Sequence, residues 1–297
     1  MASPTRTLDV PLPDGRTLHV RDDGEPGDAR LPLVLHHGSP QSCLVLPSQL
    51  DDARARGLRV ISFDRAGYGG SSRAEGRRVA DVVTDVTHLL DALDVDRFVT
   101  SGSSGGGPHS LACAALLPDR CVAAATVAGV APYDAAGLHW LAGMGEDNVE
   151  EFGAAVAGEE QLRPFLVDAR EAMLAAGVEA LVESMRTLLP PADLAVLGGG
   201  LGTWLHASMA DGLRAGVDGW LDDDLAFVQP WGFALDDVRV PVLVMAGGQD
   251  LMVPVGHGAW LAQHVPGAAA LVDDDAGHLS LLAGIGRAHT WLLEQAA

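Results

Sequence analysis

The 297-residue sequence predicts an α/β fold with a mostly parallel, doubly wound sheet that is covered by helices on both faces. Short, nearly continuous apolar runs alternate with helix-like stretches, which is typical of parallel strands buried on both sides. Several of these runs end in glycine, serine, aspartate or histidine, at the sheet edge where α/β proteins bind their ligands. A long stretch without strand-like runs interrupts the alternation and predicts a helical insertion before the last strands.

The chain begins with a predicted antiparallel hairpin. Two short runs of alternating residues, 6–10 and 16–21, flank Pro13-Asp14-Gly15, which is a turn signal. Buried strands are predicted downstream because short apolar runs recur between turn signals, and helices because apolar residues recur with a helical period. The strands lie at 31–35, 58–63, 97–101, 122–127, 241–246 and 268–272, and the helices at 79–93, 106–117, 256–264 and 279–295.

Residues 132–237, which we call the cap segment, show no clear strand and contain four of the six tryptophans. An insertion of this size between two strands predicts a helical cap over the strand ends, with the core divided into 1–131 and 238–297. The run 198–202, Gly-Gly-Gly-Leu-Gly, indicates either a flexible joint within the cap or an ordinary loop between helices. The helix-like stretches of the segment lie at 159–175, 178–189, 204–214 and 220–228.

Charge and composition exclude several functions. The net charge of −21 comes from 40 acidic and 19 basic residues, and every basic residue is arginine. Without lysine the chain has neither a P-loop lysine nor a Schiff-base lysine. The acidic balance opposes binding to nucleic acids and to anionic membranes, and no apolar run reaches the roughly 18 residues that span a bilayer. We therefore expect a cytoplasmic monomer or homodimer that acts on a small molecule.

The cysteines and histidines indicate neither a metal nor a cofactor. Cys43, Cys113 and Cys121 form no C-x-x-C pair, and their odd number argues against a disulfide framework. The histidines show no H-x-x-x-H spacing. We expect three buried free thiols, no metal site and no cofactor.

The most informative motif is G-x-S-x-G at Gly102, Ser104 and Gly106. It follows a predicted buried strand and opens a predicted buried helix, which is the context of a nucleophile elbow. At such an elbow the serine lies on a sharp, strained turn, and small neighbours let the strand and the helix approach each other. The alternative interpretation is a glycine–serine loop with a solvated hydroxyl.

A serine hydroxyl needs a base to act as a nucleophile. Asp250 follows one predicted strand and His278 follows the next, so both are expected at the sheet edge that carries Ser104. The order serine, aspartate, histidine along the chain is that of α/β-hydrolases. Residues 273–275, all aspartate, offer rival acids that lie closer to His278 in sequence, but this run is more typical of a solvated loop.

With these motifs in this order, the chain resembles serine hydrolases of the α/β-hydrolase fold over nearly all of its length outside the cap segment. The resemblance implies that Ser104 is the nucleophile, His278 the general base and Asp250 its orienting acid. The backbone N–H groups of Ser39 and Gly105 would then form the oxyanion hole. The matching motifs are His37-Gly38-Ser39-Pro40, the D-x-x-G-x-G-x-S segment 64–71, the elbow at Gly102, Ser104 and Gly106, Gly247-Gly248-Gln249-Asp250 with Pro254, and Gly277-His278.

Several residues near these motifs have less specific interpretations. His37 is expected to brace its loop through hydrogen bonds, and Gly38, Gly102 and Gly106 to shape the site. His109 is expected in the core. Of the cap tryptophans, one or two are expected to line an apolar pocket and the rest to fill the cap core. The pocket candidates are Trp140, Trp204, Trp220 and Trp231; the helix face with His257 and His264 is expected to be solvated.

An acidic cluster in the cap segment predicts a solvated surface. The alternative is a site for the free amine of a substrate, as in prolyl aminopeptidases. Two features depart from that family's pattern, the short His37–Pro40 loop and the absence of tryptophan after Ser104. The cluster consists of Glu146, Asp147, Glu150, Glu151, Glu159 and Glu160.

The sequence therefore predicts a serine hydrolase that cleaves an ester, a lactone or a thioester of a small, largely apolar molecule. C–C bond hydrolases, cofactor-free perhydrolases and prolyl-type aminopeptidases use the same residues and stay open, because the fold does not determine the function. Epoxide hydrolases and haloalkane dehalogenases share the D-x-x-G-x-G-x-S segment but use an aspartate where Ser104 stands. A ligand-binding receptor without significant turnover is the alternative from another class.

Overall fold

The computed structural model describes residues 5–175, 177–198 and 200–297 and places eight strands in one sheet. Each predicted strand is present, with ends that lie within two residues of the prediction. The strands are β1 (Arg6–Pro11), β2 (Thr17–Asp22), β3 (Leu31–His36), β4 (Leu58–Phe63), β5 (Phe98–Ser103), β6 (Cys121–Val127), β7 (Val242–Gly247) and β8 (Ala269–Asp273).

The strands are ordered β1-β2-β4-β3-β5-β6-β7-β8 across the sheet. The pairs β1–β2 and β2–β4 are antiparallel, and all other neighbours are parallel. The hairpin turn closes where the Leu12 N–H donates to the Arg16 carbonyl oxygen at 2.8 Å, with Gly15 at a φ of 88°. The prediction of a mostly parallel sheet with an N-terminal hairpin is confirmed.

Successive residues of the central strands face opposite sides of the sheet. In β3, Val34 joins one apolar cluster, whereas Leu33 and Leu35 join the other. In β7, Val244 belongs to the first of these clusters and Met245 to the second. Helices cover both sides, which is why these strands are apolar throughout. One side packs against α1 (Pro47–Ala55) and α11 (Gly286–Ala296), and the other against α2 (Val82–Ala92), α3 (Gly107–Leu116) and α10 (Val255–His264).

The described residues of the cap segment form helices and no strand, as the sequence predicts. Buried side chains such as Leu162, Leu205 and Leu221 join the apolar cluster on one side of the sheet. Within the glycine run, Gly200 precedes a helix with a φ of 103°, and Gly199 lies outside the described residues. The helices are α4 (Glu146–Ala157), α5 (Glu159–Met173), α6 (Gly177–Ser184), α7 (Pro191–Val196), α8 (Leu201–Gly212) and α9 (Asp218–Phe227).

Two features of the fold differ from the sequence predictions. β8 was predicted as a buried strand, but it is the edge strand, and its residues alternate between half-buried and exposed, with Val272 48% exposed. Helices α1, α4 and α7 were not predicted, and α1 buries only Ala53, so it shows no apolar stripe. The apolar residues of α4 are interrupted by acids and glycine, and the 6 residues of α7 are too few to show a helical period.

Two smaller expectations can be compared with the structure directly. Cys43, Cys113 and Cys121 are buried and free, as predicted. Within the described ranges, none of the helices has the length and apolar character that crossing a membrane requires.

Candidate active site

Ser104 lies at the sharp turn between β5 and α3. Its φ of 52° is in the left-handed region, which costs a non-glycine residue roughly 1–3 kcal/mol. A Cβ on Gly102 would lie 2.0 Å from the Gly106 carbonyl oxygen, and one on Gly106 would lie 2.1 Å from the His36 carbonyl oxygen. Only glycine fits at both positions. The G-x-S-x-G spacing therefore follows from the close approach of strand and helix around a strained serine.

Asp250 and His278 come from the loops after β7 and β8 and meet in a hydrogen bond. His278 Nδ1 lies 2.8 Å from Asp250 Oδ2. The other carboxylate oxygen accepts the backbone N–H groups of Met252 and Val253, each at 2.8 Å. These bonds hold the carboxylate, and the carboxylate keeps a proton on Nδ1 of the imidazole. In the neutral ring, Nε2 is then free to accept a proton.

Two opposing effects set the charge state of His278. Burial lowers the pKa of His278, but the charge of Asp250 and the hydrogen bond to it raise the pKa, and the charge of Asp193 adds to them. The net result is a pKa above the ordinary value of 6.5. His278 is therefore mainly neutral, and able to act as a base, above that raised pKa.

Ser104 and His278 line one cavity, which Ser39 and Gly105 also line. Residues 37–40, which we call the oxyanion loop, pack against the elbow. A Cβ on Gly105 would lie only 2.5 Å from Ser39 Oγ. The structure thus brings the two predicted oxyanion donors next to each other, beside the predicted nucleophile.

His37 braces the oxyanion loop, as the sequence predicts. Its Nδ1–H donates to the Gly38 carbonyl oxygen at 2.8 Å, and its Nε2 accepts the Arg65 N–H at 3.1 Å. Burial, followed by the charge of Arg65, lowers the pKa of His37 well below its ordinary value, so the ring is neutral. There is little room for a side chain at position 38, because a Cβ on Gly38 would lie 3.3 Å from the Cβ of Ser104.

A buried carboxylate from the cap segment holds the oxyanion loop. Asp223 of α9 accepts hydrogen bonds from the hydroxyls of Ser39, at 2.5 Å, and Tyr68, at 2.8 Å. It also pairs with the guanidinium groups of Arg65 and Arg77, at 2.5 and 2.7 Å. Burial alone would raise the pKa of Asp223, but the two arginine charges hold it well below its ordinary value. Asp223 is therefore ionised and restrains Ser39.

A second buried carboxylate holds residues 277–280, which we call the histidine loop. Asp193 of α7 accepts the backbone N–H groups of His278, Leu279 and Ser280, at 2.8, 3.1 and 2.8 Å. A Cβ on Gly277 would lie 2.5 Å from an oxygen of Asp193. The glycine of the Gly-His motif thus makes room for a carboxylate that comes from the cap segment.

Asp193 and Asp223 were not predicted, and only Asp223 has a signal in the sequence. Residues 222–224, all aspartate, lie in a helix whose other side chains include the buried Trp220 and Phe227. This helix is buried on nearly every side, its three consecutive aspartates included, and a buried acid must be paired or protonated. No comparable signal marks Asp193, because its partners are mainly backbone N–H groups, which no side-chain pattern records.

The walls of the cavity are mainly apolar. The cavity encloses about 740 Å³ of space, counting its open mouth. Of the four predicted pocket tryptophans, only Trp220 lines it among the described residues; Trp140 is buried in the cap core, Trp204 lines a separate cleft and Trp231 another groove. The apolar lining consists of Val130, Phe152, Met173, Met185, Leu188, Leu205, Met209, Trp220, Phe227, Met252, Val253 and Leu279.

Two carboxyl groups face each other in this cavity. The carboxyl groups of Glu151 of α4 and Asp224 of α9 lie close enough for their charges to interact, and Glu151 Oε1 accepts the Trp220 indole N–H at 2.7 Å. Burial raises the pKa of Glu151 to about 7 and the pKa of Asp224 well above its ordinary value. The expectation that the acidic cluster is solvated is therefore wrong for Glu151, whereas Glu150 is exposed.

The structure confirms the predicted environment, buried or exposed, of two histidines outside the site and contradicts that of a third. His109 is buried, as predicted, with its Nε2 3.4 Å from Asp223 Oδ1. His264 is exposed, as predicted. His257 was predicted on the same solvated face but is buried; its Nδ1 accepts the Ala131 N–H at 3.1 Å, and its Nε2–H donates to the Trp140 carbonyl oxygen at 2.8 Å. It ties the chain after β6 to the start of the cap segment.

One group of possible metal ligands occurs in the described part of the chain. The ligand atoms of His19, Cys43 and Asp64 all lie within 4.8 Å of one another. Both oxygens of Asp64 already accept backbone N–H groups, from Cys43 and Gly70. Burial, followed by the charge of Asp64, raises the pKa of the Cys43 thiol, which opposes the thiolate that binds metals. These residues form an internal hydrogen-bonded cluster.

Known proteins share parts of this sequence. Epoxide hydrolase B of Mycobacterium tuberculosis is 31% identical over 150 residues, which are 48% of this chain and 41% of that protein. A non-heme chloroperoxidase of Streptomyces lividans is 34% identical over 150 residues, 50% of this chain and 54% of that protein. The chain thus spans only about half the length of these relatives.

The solved structures and the family model agree with the fold described above. The enol-lactonase of Burkholderia xenovorans LB400 superposes with a TM-score of 0.67 at 21% identity, over 98% of this chain and 99% of that one. The model of the α/β hydrolase fold family matches residues 32–284. This match covers most of the chain, both sides of the cap segment included, and the chain therefore belongs to the α/β hydrolase fold family.

Proposed function

We propose that this hydrolase cleaves a carboxylic ester, a lactone or a thioester of a small, largely apolar molecule through an acyl-enzyme on Ser104. One observation supports this most directly. Ser104, on its strained elbow, lines the same apolar cavity as His278, whose Nδ1 is hydrogen-bonded to Asp250. A nucleophile, a base and an orienting acid are the three groups that acyl transfer requires.

The proposed reaction has two steps. His278 Nε2 takes the proton of Ser104 as its oxygen attacks the carbonyl carbon, and Asp250 stabilises the imidazolium that forms. The N–H groups of Ser39 and Gly105 stabilise the oxyanion, each by roughly 3 kcal/mol. The imidazolium then protonates the leaving alcohol or thiol. In the second step, His278 activates water, which attacks the acyl carbon and releases the acid and Ser104.

The residue at the elbow separates this proposal from the named activity of one relative. An epoxide hydrolase of this fold uses an aspartate at the position of Ser104, and a serine there favours acyl transfer. Attack of hydrogen peroxide on the same acyl-enzyme would yield a peracid, which keeps the perhydrolase alternative open. The apolar walls of the cavity support a largely apolar acyl or alcohol group.

The first experiment measures the intact mass of the protein after reaction with a fluorophosphonate probe. Wild type is compared with Ser104→Ala and with Ser103→Ala, whose serine occupies a variable position of the motif next to Ser104. We expect one adduct on wild type and on Ser103→Ala and none on Ser104→Ala. An adduct that persists in Ser104→Ala would contradict the proposal.

The second experiment screens p-nitrophenyl esters of increasing acyl chain length. We expect the shorter esters to be hydrolysed and Ser104→Ala to be inactive. Stoichiometric binding of these esters without product release would instead support the receptor alternative. Full hydrolysis by Ser104→Ala would overturn the assignment of Ser104.

A further inference from the structure

The carboxyl pair formed by Glu151 and Asp224 is the most unusual polar feature of the cavity. Asp224 is only 1% exposed, and its Oδ2 receives no hydrogen bond from any donor group among the described residues. Glu151 has one donor, the indole N–H of Trp220. Both acids line the cavity that contains Ser104 and His278. Buried carboxylates are normally paired with cations or well supplied with hydrogen bonds.

Among the residues that the structure describes, no guanidinium forms an ion pair with Glu151 or Asp224. The nearby arginines, Arg65 and Arg77, form their ion pairs with Asp223, the residue before Asp224. The charge of Arg77 lowers the pKa of Asp224, but burial and the charges of Glu151 and Asp223 raise it more. On α4, the charge of Asp147 also raises the pKa of Glu151. The cavity thus has a site of unbalanced negative charge in walls that are mainly apolar.

We propose that Glu151 and Asp224 bind a cationic group, an ammonium, on the substrate. This inference rests on the proposed function, because it places the ammonium on the molecule whose acyl group reacts with Ser104. An ammonium supplies a positive charge and several N–H donors, and the two carboxyl groups have no cationic partner and few donors among the described residues. Trp220 lies beside the pair and lines the cavity, so its ring adds an aromatic surface of the kind that binds cations.

The free protein must also tolerate the buried Asp224 beside the half-buried Glu151. Burial and the charges of neighbouring carboxylates raise their pKa values, so the pair retains a proton, which stands in for the missing cation. An ammonium would displace this proton on binding. Binding of the cation should therefore be coupled to proton release, and a purely structural carboxyl pair would show no such coupling.

The test uses n-butylammonium chloride as the probe and isothermal titration calorimetry as the measurement. It compares wild type with Glu151→Gln, Asp224→Asn and the control Glu150→Gln, which makes the same change on an exposed residue of the same helix. 1-Butanol, which has the same size without the charge, and sodium chloride are the ligand controls. We expect wild type and Glu150→Gln to bind butylammonium at least tenfold more tightly than either cavity variant does.

Proton linkage provides a second readout. Repeating the titration at pH 6.5 in buffers of different ionisation enthalpy measures the protons released. We expect release in wild type and none in Glu151→Gln. From pH 6 to pH 8 the affinity of wild type should rise about tenfold, because a group with a pKa of about 7 loses its proton over this interval. Equal affinity in all four proteins, or binding without proton release, would overturn the inference.

Two esters test whether the proposed cation subsite affects the rate of hydrolysis. The methyl esters of 6-aminohexanoic acid and heptanoic acid have chains of the same length, but the first ends in an ammonium group and the second in a methyl group. We expect kcat/KM to favour the ammonium ester in wild type, and this preference to fall at least tenfold in Asp224→Asn. If neither ester is hydrolysed but butylammonium binds with proton release, the proposed function fails and the subsite stands. If the neutral ester is hydrolysed and butylammonium binds equally in all variants, the subsite fails and the proposed function stands.

Discussion

The two sides of the cavity are built in different ways. On the core side, Ser104, Asp250 and His278 each follow a strand of the sheet, and short motifs mark all three. On the cap side, the carboxylates of Asp193 and Asp223 hold the loops that carry the proposed reacting groups, and no motif marks either. Chemistry requires particular residue types at particular strand ends. Positioning requires only a carboxylate at a suitable point in space, which many sequences can provide.

The largest effect is expected on the core side, from Asp250→Asn. The amide favours the wrong tautomer of His278, so kcat for a neutral ester should fall about 10,000-fold. The fold should be retained, as measured by circular dichroism. Asp274→Asn, in the exposed run 273–275, is the control and should keep full activity. A loss of less than tenfold in Asp250→Asn would indicate that an acid of that run orients His278.

Asp223→Asn tests whether the cap side positions the oxyanion loop. The amide leaves Arg65 and Arg77 without their buried counter-charge, so the free energy of unfolding should fall by about 3–5 kcal/mol. In the protein that remains folded, kcat should fall by about 100-fold with little change in KM, because the oxyanion donor on Ser39 loses its support.

Urea denaturation and steady-state kinetics at low temperature measure the two effects separately. Asp223→Glu keeps the charge and should recover part of kcat. Asp222→Asn is the matched control, because its carboxylate pairs with the partly exposed Arg73. If Asp223→Asn lowers stability while kcat is unchanged, Asp223 only stabilises the fold.

A smaller effect is expected from Asp193→Asn. One of its oxygens becomes an N–H₂ group that faces the His278 N–H, so the histidine loop should shift and kcat should fall about tenfold. The charge of Asp193 raises the pKa of His278. Its removal should therefore move the acidic limb of the kcat/KM profile to lower pH. A limb that stays in place would show that the distance between the two groups is too great for their charges to interact.

The smallest effect concerns stability and pH. The folded-state pKa of Glu151 is raised to about 7, above an unfolded value of about 4.3. The folded protein therefore holds the extra proton between these values, and its stability falls as the pH rises through this window. Glu151→Gln removes the group, so it should be about 1–3 kcal/mol more stable than wild type at pH 8 and nearly equal to it at pH 4, below the unfolded pKa. Urea denaturation at both pH values measures this; a gain that is the same at both would rule out titration of Glu151 as its cause.

Local patterns predicted most of the core. The turn at Pro13-Asp14-Gly15, the apolar strands and the strained elbow at Ser104 follow from the residues themselves, because each depends on backbone preferences and close neighbours. The edge position of β8 could not be predicted in this way, since a short apolar run looks alike in the middle of a sheet and at its edge. His257 was misplaced for a related reason, because its two partners lie more than 100 residues away in the chain.

The sequence by itself determined the α/β hydrolase fold and the candidate residues Ser104, Asp250 and His278. Strand periodicity and the steric demands of the elbow are local properties that a linear pattern records. Only the tertiary structure decided which cap residues reach the cavity. It brought Trp220, Glu151 and Asp224 into the cavity and Asp193 and Asp223 onto the loops beside it. These contacts join segments far apart in the chain, and burial and pairing of charges, which depend on the folded surroundings, determine what each carboxylate does.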